Sequence, residues 1–236
     1  MRLLAIETAT EACSVAVLDG ERLLERHEVA PRRHAALVLP WAEALLQEAG
    51  IARHALDGVL ASRGPGAFTG VRLGLSLAQG IALALQRPMA GISTLAVLAL
   101  GADAAEGDKV LAAIDARMGE VYVAGFRIRD GLPQPLAAEQ VLAPEQVQLA
   151  GVDWHAVGTG FAAADGLLAQ RLQDRLASCR PDALPRAGHL ARLGAAAFAA
   201  GQALPPERIE PAYLRDQVAL TLAEQAARRA ERSAGN

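Results

Sequence analysis

The sequence predicts an α/β protein built as two small lobes, each a mixed sheet flanked by helices. Three observations carry this reading. The chain opens with an antiparallel meander where a βαβ unit would otherwise stand, strands then alternate with amphipathic helices, and the same order starts again near residue 105. At 236 residues, 52% of them hydrophobic, the chain can bury one large core or two small ones.

Leu3 to Ile6 reads as a short apolar strand, Glu7 to Thr10 as a polar turn, and Ala12 to Leu18 as a second strand. It runs into Asp19-Gly20, a dipeptide that favours a hairpin, and Arg22 to Val29 returns as a third strand. This opening disfavours a Rossmann fold. His34 to Ala49 sets Leu37, Trp41 and Leu45 four residues apart, with Val38 and Ala42 beside them and Gly50 just past the end, the pattern of an amphipathic helix. Pro40 lies near its start, where it sacrifices little; in a helix interior it would cost about 3 kcal/mol.

Leu56 to Ser62 reads as a buried strand, and Arg63-Gly64-Pro65-Gly66-Ala67-Phe68-Thr69-Gly70 as a glycine-rich connection into a helix ending near Leu85. Gly70, Gly74, Ala78 and Ala82 follow at four-residue spacing, flanked by Val71, Leu75, Leu77 and Ile81. Each glycine costs the isolated helix about 1 kcal/mol relative to alanine, so something must offset the loss. Close packing on the chain's own sheet and a protein interface account for the bare face equally well.

Met89 to Ile92 continues the strands and Thr94 to about Ala104 the helices. Beyond Gly107-Asp108, Val110 to Ile114 and Val121 to Ile128 restart the pattern, Leu132-Pro-Gln-Pro135 reads as a connection, Trp154 to Val157 as a strand and Gly166 to Leu176 as a helix. A proline-rich break at 180–185 precedes an alanine-rich helix from His189 to Gln202. The expected division is a first lobe over 1–105 with 189–218 packing back onto it, a second lobe over 106–188, and a fraying tail over 219–236.

Composition excludes several functions. The net charge is −3, so no broad basic field holds a polyanion, and aromatics are only 3%, too few for a base-stacking platform. Cys13 and Cys179 form no CxxC pair, which fits a reducing compartment, and Glu7 interrupts the N-terminal apolar run too soon for a signal peptide or a membrane span. A cytoplasmic protein is expected. The five histidines stand in no metal-binding spacing, and no G-x-S-x-G elbow surrounds a serine. No metal site is therefore expected.

Glu7, Thr8, Thr10, Gly64 and Gly66 are the candidates for a nucleotide site, possible in form and vestigial in content, because free backbone N–H groups between a strand and a helix can hold an anion. Val71 and Arg72 stand where a Walker loop needs Lys and Ser or Thr, and the sole lysine, Lys109, lies elsewhere. A glycine turn that lets a helix pack closely explains the residues as well. In the second lobe Asp115, Arg117 and Glu120 form an unusual polar run between strands, for which a hairpin with an exposed ion pair is the plainer reading.

Together, residues Leu4 to Val15, Gly64 to Gly74, Asp115 to Tyr122 and Tyr213-Leu-Arg215 resemble the bacterial TsaB (YeaZ) family, four modest motifs in the right order. The resemblance implies the two-lobe actin-like/Hsp70/sugar-kinase (ribonuclease H-like) architecture. It implies a scaffolding or activating subunit that pairs with the catalytic paralogue TsaD, is joined by the ATPase TsaE and meets tRNA through the complex. ATP and metal would belong to those partners. The catalytic paralogue carries an HxxxH metal pair where this chain reads Ser93-Thr-Leu-Ala-Val-Leu98.

In this family the first-lobe helices are the surface expected to meet the paralogue, or a second copy of the chain when alone. The residues expected there are Leu37, Val38, Trp41, Leu45, Gly70, Gly74, Leu75, Ala78, Ile81 and Ala82, and Gly74→Leu is expected to block pairing and spare the fold. The competing expectation is a small-molecule kinase or ATPase of the same architecture; a third is a structural homodimer.

Overall fold

The computed structural model describes residues 1–214. Three features expected from residue 215 onward lie outside the described residues: Arg215, the end of the segment packing back, and the 219–236 tail. Strands β1 (Arg2–Glu7), β2 (Ala12–Asp19) and β3 (Arg22–Val29) form the antiparallel meander, and β4 (Gly58–Ser62) and β5 (Met89–Ile92) extend it in parallel, in the order β3-β2-β1-β4-β5.

β1 is apolar on both faces because helices cover both. Leu4 and Ile6 face α1 (His34–Ala49) and α2 (Phe68–Leu85), while Leu3 and Ala5 face α5 (Ala187–Ala199) on the opposite side. That is the period-two alternation of a strand between two helical layers. α2 has a mean hydropathy of 1.4 and is the one described helix long and apolar enough to cross a membrane. Its buried stripe, Val71, Gly74, Leu75, Ala78 and Ala82, packs on this sheet.

The second sheet contains β6 (Lys109–Arg117), β7 (Glu120–Arg129), β8 (Leu132–Pro135), β10 (Trp154–Val157) and β11 (Leu176–Arg180), ordered β11-β10-β6-β7-β8, with β9 (Gln140–Leu142) also on β7. From its antiparallel end this order is that of the first sheet: three antiparallel strands, then two parallel ones on the far side of the first. Where α1 links β3 to β4, the second sheet has β9 and a 3-10 turn at Pro144–Gln146. α4 (Ala163–Leu172) covers one face of this sheet through Leu168 and Leu172.

α3 (Thr94–Leu100) covers the other face with Leu95, Leu98 and Ala99, yet Val97 belongs to the α5 layer of the first sheet. It serves both sheets, so a lobe boundary at residue 105 assigns it to only one of them. α3 ends at Leu100 rather than Ala104, stopped at Gly101. β8 forms where a loop was expected, its two prolines tolerated on an edge strand, and β11 forms between the expected helix end at Leu176 and the proline-rich break from Arg180, where no strand was expected because the sequence shows no alternation.

The return of the chain to the first sheet is fastened by Glu25 on β3. Its Oε1 accepts from Ser14 Oγ at 2.8 Å and Gly188 N at 2.9 Å, and its Oε2 from Arg186 Nε and Nη2 at 3.0 and 2.7 Å. Ser14 Oγ in turn accepts from Ala187 N at 3.0 Å, so two donors at the start of α5 are satisfied by side chains of the first sheet. Burial pushes the Glu25 carboxyl up, but Arg186, Gly188 and Ser14 bring it below its ordinary value on balance.

A carboxyl so held stabilises the fold above its unfolded value, and that stability is lost as pH falls through the lowered folded value. Glu25→Ala should therefore destabilise by about 1–2 kcal/mol at pH 7, since it leaves the Gly188 N–H without its acceptor and removes the ion pair of a half-exposed guanidinium. Urea unfolding at pH 7 and pH 3.5 checks this: the difference from wild type should shrink at the lower pH, and an equal difference at both would contradict the role of the charge.

Candidate partner interface

The turn after β1 and the glycine-rich turn after β4 meet backbone to backbone. The Ala67 N–H donates to the Ala9 carbonyl at 2.7 Å, and the Thr8 hydroxyl donates to the Gly70 carbonyl at 2.8 Å. A Cβ on Gly66 would run into the Ala9 carbonyl oxygen, one on Gly70 into the Thr8 carbonyl oxygen, and one on Gly74 into the Thr8 hydroxyl. Glycine is required here by close approach, not by an unusual φ.

The structure thus brings Glu7, Thr8, Thr10, Gly64 and Gly66 together, but as a packed core. Glu7 is fully buried, its Oε1 accepting from Ala9 N at 2.7 Å and Ser62 Oγ at 2.8 Å, while its Oε2 is buried with no hydrogen-bond partner among the described residues. Thr10 is buried beside it, its hydroxyl accepting from Ala12 N at 3.4 Å. Mg-nucleotide, which the actin-like architecture implies, does not fit these residues. The acid is fully buried, the Thr8 hydroxyl is committed to the Gly70 carbonyl, and carbonyl oxygens of Ala9 and Thr8 fill the space above Gly66 and Gly70.

The expected interface divides in two. Val38, Leu45, Gly74, Leu75, Ala78 and Ala82 are buried in the chain's own core and cannot reach a partner, while Leu37, Trp41, Gly70 and Ile81 are half-buried at its margin. This corrects the expectation: the small-residue stripe from Gly70 to Ala82 lets α2 approach β1. Gly74→Leu would strike Thr8 and damage the first lobe.

A second small-residue stripe was missed in the sequence. Thr69, Ser76, Gly80 and Ala84 are exposed on the outer side of α2, bordered by Leu73, Leu77 and Leu83, and a Cβ on Gly80 would meet open space. α1 packs on the same face of the sheet and exposes Ala36, Leu39 and Pro40 beside Leu37 and Trp41. Their near lack of charge was the available signal: α2 has Arg72 as its only charged residue.

Arg72 closes the N-terminal end of this face. Its guanidinium lies 3.3 Å from the Phe68 ring centroid and 5.1 Å from that of Tyr213, and its Nη2 donates to Tyr213 Oη at 2.8 Å. This contact ties the Gly64 to Gly74 stretch to Tyr213, far away in sequence. Gln79 holds the same strand of chain by donating to the carbonyls of Pro206 and Ile209 at 2.9 and 3.0 Å.

In the second lobe Asp115, Arg117 and Glu120 lie at the β6–β7 hairpin. Asp115 Oδ1 accepts from Arg117 N and Oδ2 from Arg117 Nη1, both at 2.7 Å, while Arg117 pairs across the strands with Glu120.

Burial raises the Glu7 carboxyl to about 7, against the lowering effect of Ala9, Ser62 and Thr8. Between the ordinary carboxylate value and about pH 7 the folded protein keeps a proton that the unfolded chain releases, so stability declines as pH rises through that window and levels off above it. Glu7→Gln should flatten this decline and be at least as stable as wild type at pH 8. Urea unfolding from pH 5 to 8 reads it, and an unchanged slope in the variant would refute the assignment.

Comparison with known proteins agrees with the fold. A family model described as TsaD, tRNA N6-adenosine threonylcarbamoyltransferase, matches residues 26–222. The tRNA threonylcarbamoyladenosine biosynthesis protein TsaB of Escherichia coli is 42% identical over 231 residues, spanning 93% of this chain and 96% of its own. The protein of the same name from Haemophilus influenzae is 35% identical, spanning 92% and 95%. A Pseudomonas aeruginosa crystal structure described as similar to peptidase YEAZ has 43% identity and a TM-score of 0.84, covering 91% of this chain and 99% of that one. YeaZ from the same organism has 41% identity and a TM-score of 0.81, covering 90% and 99%. With its two helix-flanked mixed sheets the chain has the actin-like, ribonuclease H-like fold. Similar along nearly its whole length to proteins of that name, the chain belongs to the TsaB (YeaZ) family.

Proposed function

We propose that the chain is a scaffolding and activating subunit in the formation of threonylcarbamoyladenosine on tRNA, without catalysis of its own. It pairs through α1 and α2 with a TsaD-type catalytic paralogue, acts with a TsaE-type ATPase, meets tRNA through the assembly in the cytoplasm, and pairs with itself when alone. The family name supports the pathway. The observation that carries the subunit role is the outer face of α2, where Thr69, Ser76, Gly80 and Ala84 leave an uncharged surface of small side chains on which a second helix can approach closely. The sealed turn around Glu7 weighs against the kinase reading, so ATP and metal are assigned to the partners.

Gly80→Leu tests the role without touching the core, because space is open at Gly80 and leucine raises helix propensity by about 0.5–1 kcal/mol over glycine. Wild type should form a heterodimer with a TsaD-type paralogue in size-exclusion chromatography with light scattering. The variant should bind at least tenfold more weakly while unfolding at equal or higher urea. Equal affinity would remove this face from the interface. Absence of a wild-type heterodimer, together with nucleotide hydrolysis by the chain alone, would overturn the function.

A further inference from the structure

Three polar side chains of the second lobe form a line well outside the α1–α2 face. His155 on β10 and Ser178 on β11 stand opposite each other in the parallel ladder, and His155 Nδ1 lies 2.9 Å from Ser178 Oγ. On the other side of the ring His155 Nε2 lies 3.3 Å from Oδ2 of Asp108, the residue before β6, and that same oxygen accepts from Ala105 N at 2.8 Å. In the neutral ring the Asp108 carboxylate keeps the proton on Nε2. Nδ1 is left to accept from the Ser178 hydroxyl.

This is the order of an activated nucleophile: a hydroxyl on a base, and the base oriented by a third group. A cross-strand pair that only joins two strands needs no third member. Ser14 and Ser62 are buried and donate to Glu25 and Glu7, whereas Ser178 is half-buried between exposed Ala177 and Cys179, and the His155 and Asp108 side chains are 23% and 39% exposed. A small molecule can reach the line from solvent. β11 is also the outer strand of its sheet. The Arg180 carbonyl accepts from Gly158 N at 3.0 Å, so Arg180 turns its peptide groups toward β10 and the preceding residue, Cys179, turns its N–H to the open edge. The N–H of the residue after a nucleophilic serine serves elsewhere as a donor to the oxyanion of acyl transfer.

We propose that Ser178 is a nucleophile that takes an acyl group from small activated donors, carbonyl compounds bearing a good leaving group, with His155 as its base and Asp108 as the residue that positions His155. The bond from Ser178 Oγ to the carbonyl carbon forms and the bond from that carbon to its leaving group breaks. The hydroxyl proton passes to His155 Nδ1 and from there to the leaving group, the Cys179 N–H faces the oxyanion, and nothing is oxidised or reduced. The site is a place of covalent modification and needs no turnover. It therefore stands beside the subunit role of the first-lobe helices without depending on it.

Full-length protein treated with p-nitrophenyl acetate at neutral pH should gain an acetyl group at Ser178, located by peptide mass spectrometry, at least tenfold faster than at Ser76, an exposed serine of α2. Unfolding in urea should abolish that difference. His155→Gln should lower the Ser178 rate at least tenfold. Asp108→Asn, which keeps an oxygen for the Ala105 N–H, should also lower it while the urea midpoint stays near that of wild type; a purely structural Asp108 would leave the rate alone. Acetylation of Ser178 no faster than of Ser76, or a rate left unchanged by His155→Gln and by Asp108→Asn, would overturn the proposal.

Discussion

The contact on which the first lobe depends is the approach of two turns, in which Gly66, Gly70 and Gly74 lie directly on Thr8 and Ala9. No side chain separates them, so the angle of α2 to β1 is set by backbone atoms and by the Thr8 hydroxyl on the Gly70 carbonyl. Glycines weaken α2 as an isolated helix, and burial of Val71, Leu75, Ala78 and Ala82 against the sheet offsets that weakness. The same approach closes the space that an anion would need and buries Glu7 without an outlet. One packing solution therefore decides both what the turn does for the fold and what it does not do as a site.

The repeated strand order shows how one plan was put to different uses. In both sheets three antiparallel strands are followed by two parallel ones, and a glycine-containing turn lies on the backbone of the first strand or of the turn that follows it. Gly158 and Gly160 lie on the Ala113 backbone as Gly66 and Gly70 lie on Ala9 and Thr8. The first lobe carries two helices on its outer face; the second carries α4 and a short 3-10 turn where the first has α1. The long apolar surface is thus confined to the first lobe.

Much of the fold was legible in the sequence because its signals are local. Asp19-Gly20 marks a hairpin, and Leu37, Trp41 and Leu45 with Val38 and Ala42 mark the core-facing side of a helix. β11 was not legible, because Leu-Ala-Ser-Cys-Arg is half-exposed and polar at a sheet edge and its pairing with β10 is set by tertiary structure. The direction faced by the glycines of α2 was not legible either. Gly70, Gly74, Ala78 and Ala82 announce close approach on one side of the helix, but spacing alone is silent on whether sheet or partner makes it.

That ambiguity has a physical resolution. A helix lying between its own sheet and a partner needs small residues on both sides, and α2 has two stripes offset around its axis. The buried stripe carries the regular four-residue spacing because it meets one fixed sheet. The outer stripe, Thr69, Ser76, Gly80 and Ala84, is irregular and mixes hydroxyls with small apolar groups, a surface suited to contact with water. The more regular stripe therefore marks the contact inside the chain. Open space over Gly80 and carbonyl oxygen over Gly70 distinguish the two sides more surely than any periodicity.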